Sequence, residues 1–366
     1  MEKKNPFSHI EIQNNPVEPI EGRKALKYLN ESDYISACGP HQSGKSTFSK
    51  YLRNELTIKP ENIVVPINFQ GIEPDKIDNI RNITRFINEA ILDHLKKIEA
   101  IDKNYKLTTD SGIRQYFEIV SELVKQNNTL LLKIQKTREG VKNLKLFLFF
   151  DEITALDNSI TGFLGLYRSI YNEKYYNHDS KEAQGGMLFT FPGNPTSYND
   201  GPNSPFNITK SFKFESLYLK KEAFAKTIKK GFKKIKIEIS DDIVDFIYEQ
   251  TNGHPFLTMH IAEIMFEELF KNIKSKNESL KIETSFVEKA INTILEEDHL
   301  KNIVSSLNQD DKMLLKEIIN GSLNCSIFAA KLDHLNFLGL LGTKGDSHKA
   351  KILNKVYEMF LKEYLD

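Results

Sequence analysis

Residues 38–47 read CGPHQSGKST: Gly39 and Gly44 frame four residues, and Lys45, Ser46 and Thr47 follow. Glycines permit the tight turn that aims successive backbone N–H groups at one point, and such a concavity binds anions. The spacing fits a phosphate loop, in which the lysine reaches the β- and γ-phosphates and the serine hydroxyl ligates magnesium. The competing reading is a glycine-serine turn carrying a solvated lysine. Context separates the two. The β-rich run DYISAC (33–38) feeds the loop, and KSTFSKYLRNEL (45–56) continues it as a helix whose N-terminal dipole favours an anion. Strand, loop and helix in that order select the phosphate loop. Its contacts to nucleotide would be Gly39, Pro40, His41, Gln42, Ser43, Gly44, Lys45, Ser46 and Thr47.

A second stretch, LFLFFDEIT (146–154), supplies acids where such a loop needs them. An almost wholly apolar run reads as a strand buried on both faces. It ends in Asp151 and Glu152. Asp151 is expected to hold magnesium through water, and Glu152 to orient and polarise an attacking water. The alternative is a helix start whose acids favour the dipole. A phosphate loop about a hundred residues upstream makes the metal-and-water reading the stronger one.

Around these two motifs the chain alternates short apolar runs with helical stretches from about 33 to 215, the signature of a parallel sheet covered by helices. Further strands are expected at NIVVPINF (62–69), GGMLFTF (185–191) and ITKSFKF (208–214), the last nearer an edge because it alternates. A long charged helical insertion occupies about 75–140. The loop FPGNPTSYNDGPNSP (191–205) is too rich in Gly, Pro and Asn for regular structure. Beyond 219 the pattern turns helical. Ser240 opens one helix as N-cap, Leu257, Ile261, Met265 and Leu269 mark another, and Ser285 with Glu288 reads as a capping box. The tail reads helix, helix, glycine-rich turn, short strand, helix, an order that suits a winged helix.

Bulk properties narrow the class. Among 366 residues, 50 Lys+Arg balance 50 Asp+Glu, so no net charge advertises nucleic acid or anionic membrane. Only seven of the cations are arginine, and none lies beyond Arg168. Two cysteines, Cys38 and Cys325, make no disulfide framework and suit a reducing setting. The N-terminus lacks the apolar core of a signal peptide, and LKLFLFF is far shorter than the roughly 20 residues of a membrane span. The expectation is a cytoplasmic chain with no membrane partner.

FLGLYRSIYNEK (163–174), GGMLFTFPGNPTSYNDGPNSPFNITKSF (185–212) and TNGHPFLTMHIAEIMF (251–266) together resemble the AAA-like domain family of signal-transduction P-loop ATPases. These form a branch of the signal transduction ATPases with numerous domains, relatives of the origin-recognition ATPases. NNPVEPIEGRKALKYL (14–29) is similar to the family's lead-in segment near the adenine, with Pro19 where arginine is common. The resemblance implies an α/β fold: a three-layer P-loop NTPase core of the ASCE type with a parallel sheet, then a helical lid and a C-terminal winged helix. The corresponding domains would be 1–218, 219–300 and 301–366.

The resemblance further implies ATP and Mg²⁺ as ligands and assigns roles. His254 and Pro255 match a lid motif near the nucleotide, and His254 is its cationic candidate; a plain helix start with Pro255 at the first position is the alternative. Arg168 matches an arginine that acts as a finger on a neighbouring subunit's nucleotide; a structural salt bridge is equally compatible. The family's polar sensor at the end of the fourth strand falls on Pro192 and Gly193 here, leaving Thr190 or Asn194 to substitute. Three functions follow. The first is an ATP-binding, ATP-hydrolysing signalling switch that controls lid closure, homo-oligomerisation or an effector partner, with bacterial defence or stress as its setting. The second is a DNA-binding ATPase of the origin-recognition or transposition-loader type, disfavoured because arginine dominates base readout. The third is a nucleotide-bound scaffold without turnover. The lysine run KKGFKKIK (229–236) reads most simply as one solvated helix face.

Overall fold

The computed structural model describes residues 5–8, 16–40, 42–73, 77–108, 114–123, 144–176, 184–191, 208–212, 218–276, 282–327, 329–344 and 347–365. The chain divides into two compact units, Glu21–Cys38 with Leu52–Phe212, and Met1–Ile20 with Gly39–Tyr51 and Lys213–Asp366.

The first unit is built on a parallel sheet. In chain order it contains α1 (Gly22–Asn30) and β1 (Tyr34–Cys38), then the end of α2 (Lys45–Thr57), β2 (Asn62–Asn68) and α3 (Ile80–Lys97). β3 (Lys145–Asp151), a 3₁₀ turn (Ile153–Ser159), α4 (Ile160–Tyr176), β4 (Gln184–Phe191) and β5 (Thr209–Phe212) complete it. The strands lie in the order β2-β3-β4-β1-β5, every neighbouring pair parallel. β5 is an edge strand, as its alternation predicts. β2 is the other edge, and it must be: Pro66 has no N–H to give a second neighbour. β4 is buried along its whole length and β3 along its centre. Phe150, fully buried, sits among the rings of Phe69, Phe163, Tyr167 and Phe189 at centroid distances of 6.3, 5.3, 4.8 and 5.3 Å. The insertion contributes α3 and a helical stretch at 114–123, whose Ile119, Val120 and Leu123 join this core.

Gly185 and Gly186 follow Gln184 in the fourth strand for a steric reason. A Cβ at Gly186 would lie 2.6 Å from the Asp33 carbonyl oxygen and 2.7 Å from Leu29 Cα. The turn between α1 and β1 therefore packs on bare backbone.

The second unit carries the loop after β1, the start of α2 and all the C-terminal helices: α5 (Lys221–Lys233), α6 (Asp241–Thr251), α7 (Pro255–Lys276), α8 (Thr284–Leu295), α9 (Asp298–Ser305) and α10 (Gln309–Ile319). α11 (Asp333–Phe337), the antiparallel pair β6 (Leu341–Lys344) and β7 (Ser347–Ile352), and α12 (Lys355–Leu365) follow. One hydrophobic core runs from Phe7 and Val17 through α5–α10 to Leu341, Tyr357 and Leu361. Phe7 seats against the helix α5 backbone at Gly231, where a Cβ would come within 2.2 Å of its ring.

Three local expectations need correction or refinement. Ser240 occupies the N-cap of α6 in extended backbone, with Asp241 and Asp242 in the first turn, but its side chain makes no capping hydrogen bond. α8 starts at Thr284 with Glu283 as N-cap, which places Ser285 inside the first turn and leaves no box with Glu288. The capping box forms instead at α10, where Asn308 Oδ1 accepts from Asp311 N at 2.9 Å and Asp311 Oδ2 accepts from Asn308 N at 3.0 Å. The glycine-rich tail holds a strand of its own, β6, because Leu340 and Leu341 face the core. In the lysine run, Phe232 and Ile235 are buried while Lys230, Lys233, Lys234 and Lys236 are exposed. No helix among the described residues is long and apolar enough to cross a membrane.

Candidate functional site

The chain leaves β1 at Cys38, which is buried with its Sγ 3.5 Å from the Phe212 carbonyl oxygen, and enters the glycine loop at the next residue. The loop turns through left-handed backbone at Gln42 (φ 62°) and Gly44 (φ 93°) before α2 begins at Lys45. Pro40 O accepts from Ser43 N at 3.3 Å, closing the turn. Lys45 is 4% exposed, and its Nζ donates to Gly39 O at 2.9 Å and Pro40 O at 2.6 Å. Burying an ammonium is costly unless strong acceptors surround it. Ser43 Oγ is buried and, among the described residues, has no hydrogen-bond partner. A buried ammonium, an unused hydroxyl and a helix N-terminus together form a donor set that fits a polyphosphate. Gly39, Pro40, Gln42, Ser43, Gly44, Lys45, Ser46 and Thr47 all lie on this one turn; His41 lies outside the described residues.

The acidic pair belongs to the sheet unit. Asp151 ends β3 and Glu152 follows it, both half-buried. Glu152 has φ 54°, a left-handed conformation that costs a non-glycine residue roughly 1–2 kcal/mol. Such strain persists where the surroundings impose it, and it gathers at functional sites. Asp151 carries a carboxylate oxygen, a hard donor of the kind magnesium prefers, and in the loop Ser46 carries a hydroxyl oxygen.

The sheet register supplies a partner. β3 and β4 align Phe150 with Phe189, so Asp151 and Thr190 come next in step, and the Thr190 hydroxyl donates to Asp151 Oδ1. Thr190 is fully buried. Of the two substitutes expected for the polar sensor, Thr190 lies beside Asp151; Asn194, like Pro192 and Gly193, lies outside the described residues. Its signal in the sequence was one hydroxyl in the apolar run MLFTF.

His254 and Pro255 stand at the start of α7, Pro255 being its first residue. The His254 ring is 1% exposed, between Tyr218 at 5.6 Å and Tyr357 at 5.7 Å. Its Nδ1 accepts from Leu257 N at 3.4 Å, so this nitrogen acts as a helix cap and carries a lone pair. The turn before it, Asn252–Gly253, runs through left-handed backbone, and Gly253 O accepts from Leu219 N at 2.9 Å. Pro19 of the lead-in segment bridges to Leu219, with Ile20 N donating to Tyr218 O at 2.7 Å. Arg168 is half-buried in the third turn of α4, beside Tyr167 of the aromatic core.

Comparison with known proteins agrees with this architecture. The Walker-type ATPase PABY2304 of Pyrococcus abyssi superposes with a TM-score of 0.58 at 14% identity, over 98% of each chain. The ADP form of the Aeropyrum pernix ORC2 protein superposes with a TM-score of 0.50 at 14% identity, over 100% of this chain and 99% of that one. At such identity the likeness is one of fold: an α/β P-loop ATPase architecture with a parallel five-stranded sheet. No curated protein matches the sequence. The AAA-like domain family matches residues 8–363, nearly the whole length, and the chain belongs to that family.

Proposed function

We propose that the protein binds ATP with magnesium on the loop Gly39–Thr47, hydrolyses it slowly, and uses the nucleotide state as a switch for assembly or for an effector partner. The observation that carries this reading is Lys45, an ammonium buried to 4% exposure on loop carbonyls at the N-terminus of α2. Magnesium supplies charge neutralisation between the phosphates when bound. Lys45 and the loop N–H groups would hold the phosphates, Ser46 and Asp151 would hold the metal, and Glu152 would orient the attacking water. Thr190 keeps the Asp151 carboxylate turned by donating to Oδ1. Arg168 would act on a neighbouring copy's nucleotide in an oligomer, and His254 would report on the nucleotide through the lid. The division into a core (1–218), a helical lid (219–300) and a winged helix (301–366) is part of the same proposal.

The test is a pair of variants. Lys45→Ala should abolish binding of a fluorescent ATP analogue. Glu152→Gln should bind normally but retain ATP through gel filtration, with the mass of the native complex shifted toward the ATP-bound state. Full turnover by Glu152→Gln would defeat the hydrolytic role, and no change in mass with any nucleotide would favour a scaffold.

One observation favours DNA as a second reading. On β7, Ala350 faces the core while Lys349 and Lys351 are exposed on the same face of a hairpin that follows two helices. Such a face suits phosphate contacts. A gel shift of duplex DNA at low salt, lost in Lys349→Glu/Lys351→Glu, would establish it; no shift removes it.

A further inference from the structure

The phosphate loop meets the C-terminal segment at Pro40. The turn between α11 and β6 passes through Gly339 at φ +74°, and a Cβ there would lie 2.3 Å from Pro40 Cγ and 2.8 Å from Pro40 Cβ. The backbone of the turn thus rests directly on the proline ring. The turn is stiff: Gly339 N donates to Asn336 O at 3.1 Å, Leu340 N to Leu335 O at 3.1 Å, and Leu353 N to Leu340 O at 2.9 Å. Leu340 and Leu341 are buried beside it. The same segment is anchored at the Asn252–His254 turn, where Asn252 Nδ2 donates to Leu353 O at 3.5 Å and the His254 ring meets Tyr357.

Pro40 is not a passive residue of the loop. Its carbonyl oxygen accepts from both Lys45 Nζ and Ser43 N. Displacing the ring moves the acceptor that sets the lysine and closes the turn. We infer that Gly339 is a positioning residue for the phosphate loop, so that docking of the C-terminal segment and phosphate binding are linked through the Gly339–Pro40 contact. Linkage is reciprocal: whatever seats the segment tightens the loop, and an anion on the loop steadies the segment. The nucleotide part of this inference rests on the function proposed above; the loop part does not.

Gly339→Asn separates collision from backbone strain, since asparagine tolerates left-handed backbone yet carries a Cβ. Hydrogen exchange of amides 42–47, without nucleotide, reads the loop alone. We expect it to quicken by about tenfold in Gly339→Asn and to return toward the Pro40→Gly level in Pro40→Gly/Gly339→Asn. The Kd for a non-hydrolysable ATP analogue should weaken by about tenfold in Gly339→Asn, with the double variant within about threefold of Pro40→Gly. Global destabilisation would lower the melting temperature without that rescue. Wild-type exchange in a folded Gly339→Asn, or a double variant no better than the single, overturns the inference. Should Gly339→Asn fail to fold, Pro40→Ala removes Cγ, the ring atom nearest the turn, and must quicken both 42–47 and 338–341; unchanged exchange at 338–341 overturns it. If the wild type binds no nucleotide while loop exchange responds as expected, the functional proposal fails and the positioning role stands.

Discussion

Replacing Thr190 by valine keeps the shape of the side chain and removes one hydroxyl. In the native chain that hydroxyl is fully buried and donates to Asp151 Oδ1. A hydrogen bond to a charged acceptor contributes about 1.5–3 kcal/mol, and leaving the acceptor without its donor forfeits that amount. At about 1.4 kcal/mol per factor of ten, the expected loss in the magnesium-dependent rate is roughly tenfold to a hundredfold. Affinity for nucleotide measured in EDTA should stay within about threefold, because Thr190 acts through Asp151 and not through the phosphates. Thr190→Ser is the control. It keeps the donor but leaves a small cavity where the methyl was, so it should lose stability, by about 1 kcal/mol, more than rate. Phosphate release at saturating ATP, with and without magnesium, is the assay, with thermal melting alongside. Wild-type turnover in Thr190→Val, or equal impairment of the Ser and Val variants, would refute the role given to the hydroxyl.

Two further expectations concern stability. His260 is held by Glu263 at 3.0 Å and Glu297 at 2.7 Å, and the Glu263 hydrogen bond, against desolvation and with help from Glu297, raises its pKa above 6.5. The folded state therefore binds the proton more tightly than the unfolded chain, so this contribution is complete below pH 6.5 and fades as pH rises through the folded pKa. Urea midpoints measured from about pH 6 to pH 9 should fall more steeply for the wild type than for His260→Gln; parallel curves would count against the bridge. Gly186→Ala should destabilise strongly, by about 3 kcal/mol or more, because its Cβ meets Leu29 Cα and the Asp33 carbonyl oxygen, backbone atoms that cannot turn aside. A melting temperature unchanged from wild type would mean that α1 can shift at little cost.

Much of the fold was legible because it depends on local spacing. Gly39, Gly44 and Lys45 announce the loop within a few residues, and KLFLFF announces a buried strand by having no polar face. β5 takes the edge position that the alternation in its sequence suggested, although its burial does not alternate: Lys210 and Ser211 are both exposed and Phe212 is buried. The capping boxes were less legible. Ser285–Glu288 satisfies the pattern without forming the box, because the helix starts two residues earlier than that box requires, at Thr284 with Glu283 as N-cap; Asn308–Asp311 forms it with a different pair of residue types. The lysine run at 229–236 forms a solvated face, with Phe232 and Ile235 turned inward.

The candidate site divides along the same line. Sequence alone determined that the chain carries a glycine loop of the phosphate-binding pattern, an acidic strand end and the His254–Pro255 pair, because each is a short run of neighbouring residues. Tertiary structure decided which residues serve them. Thr190 reaches Asp151 only because β4 lies beside β3 in a register that aligns Phe189 with Phe150. His254 caps a helix between Tyr218 and Tyr357, a ring 103 positions further along the chain. Gly339 bears on Pro40 across about 300 residues, at a φ of +74° that its neighbours in sequence do not betray. Spacing along the chain specifies what a loop can bind; packing between distant segments specifies how firmly it is held.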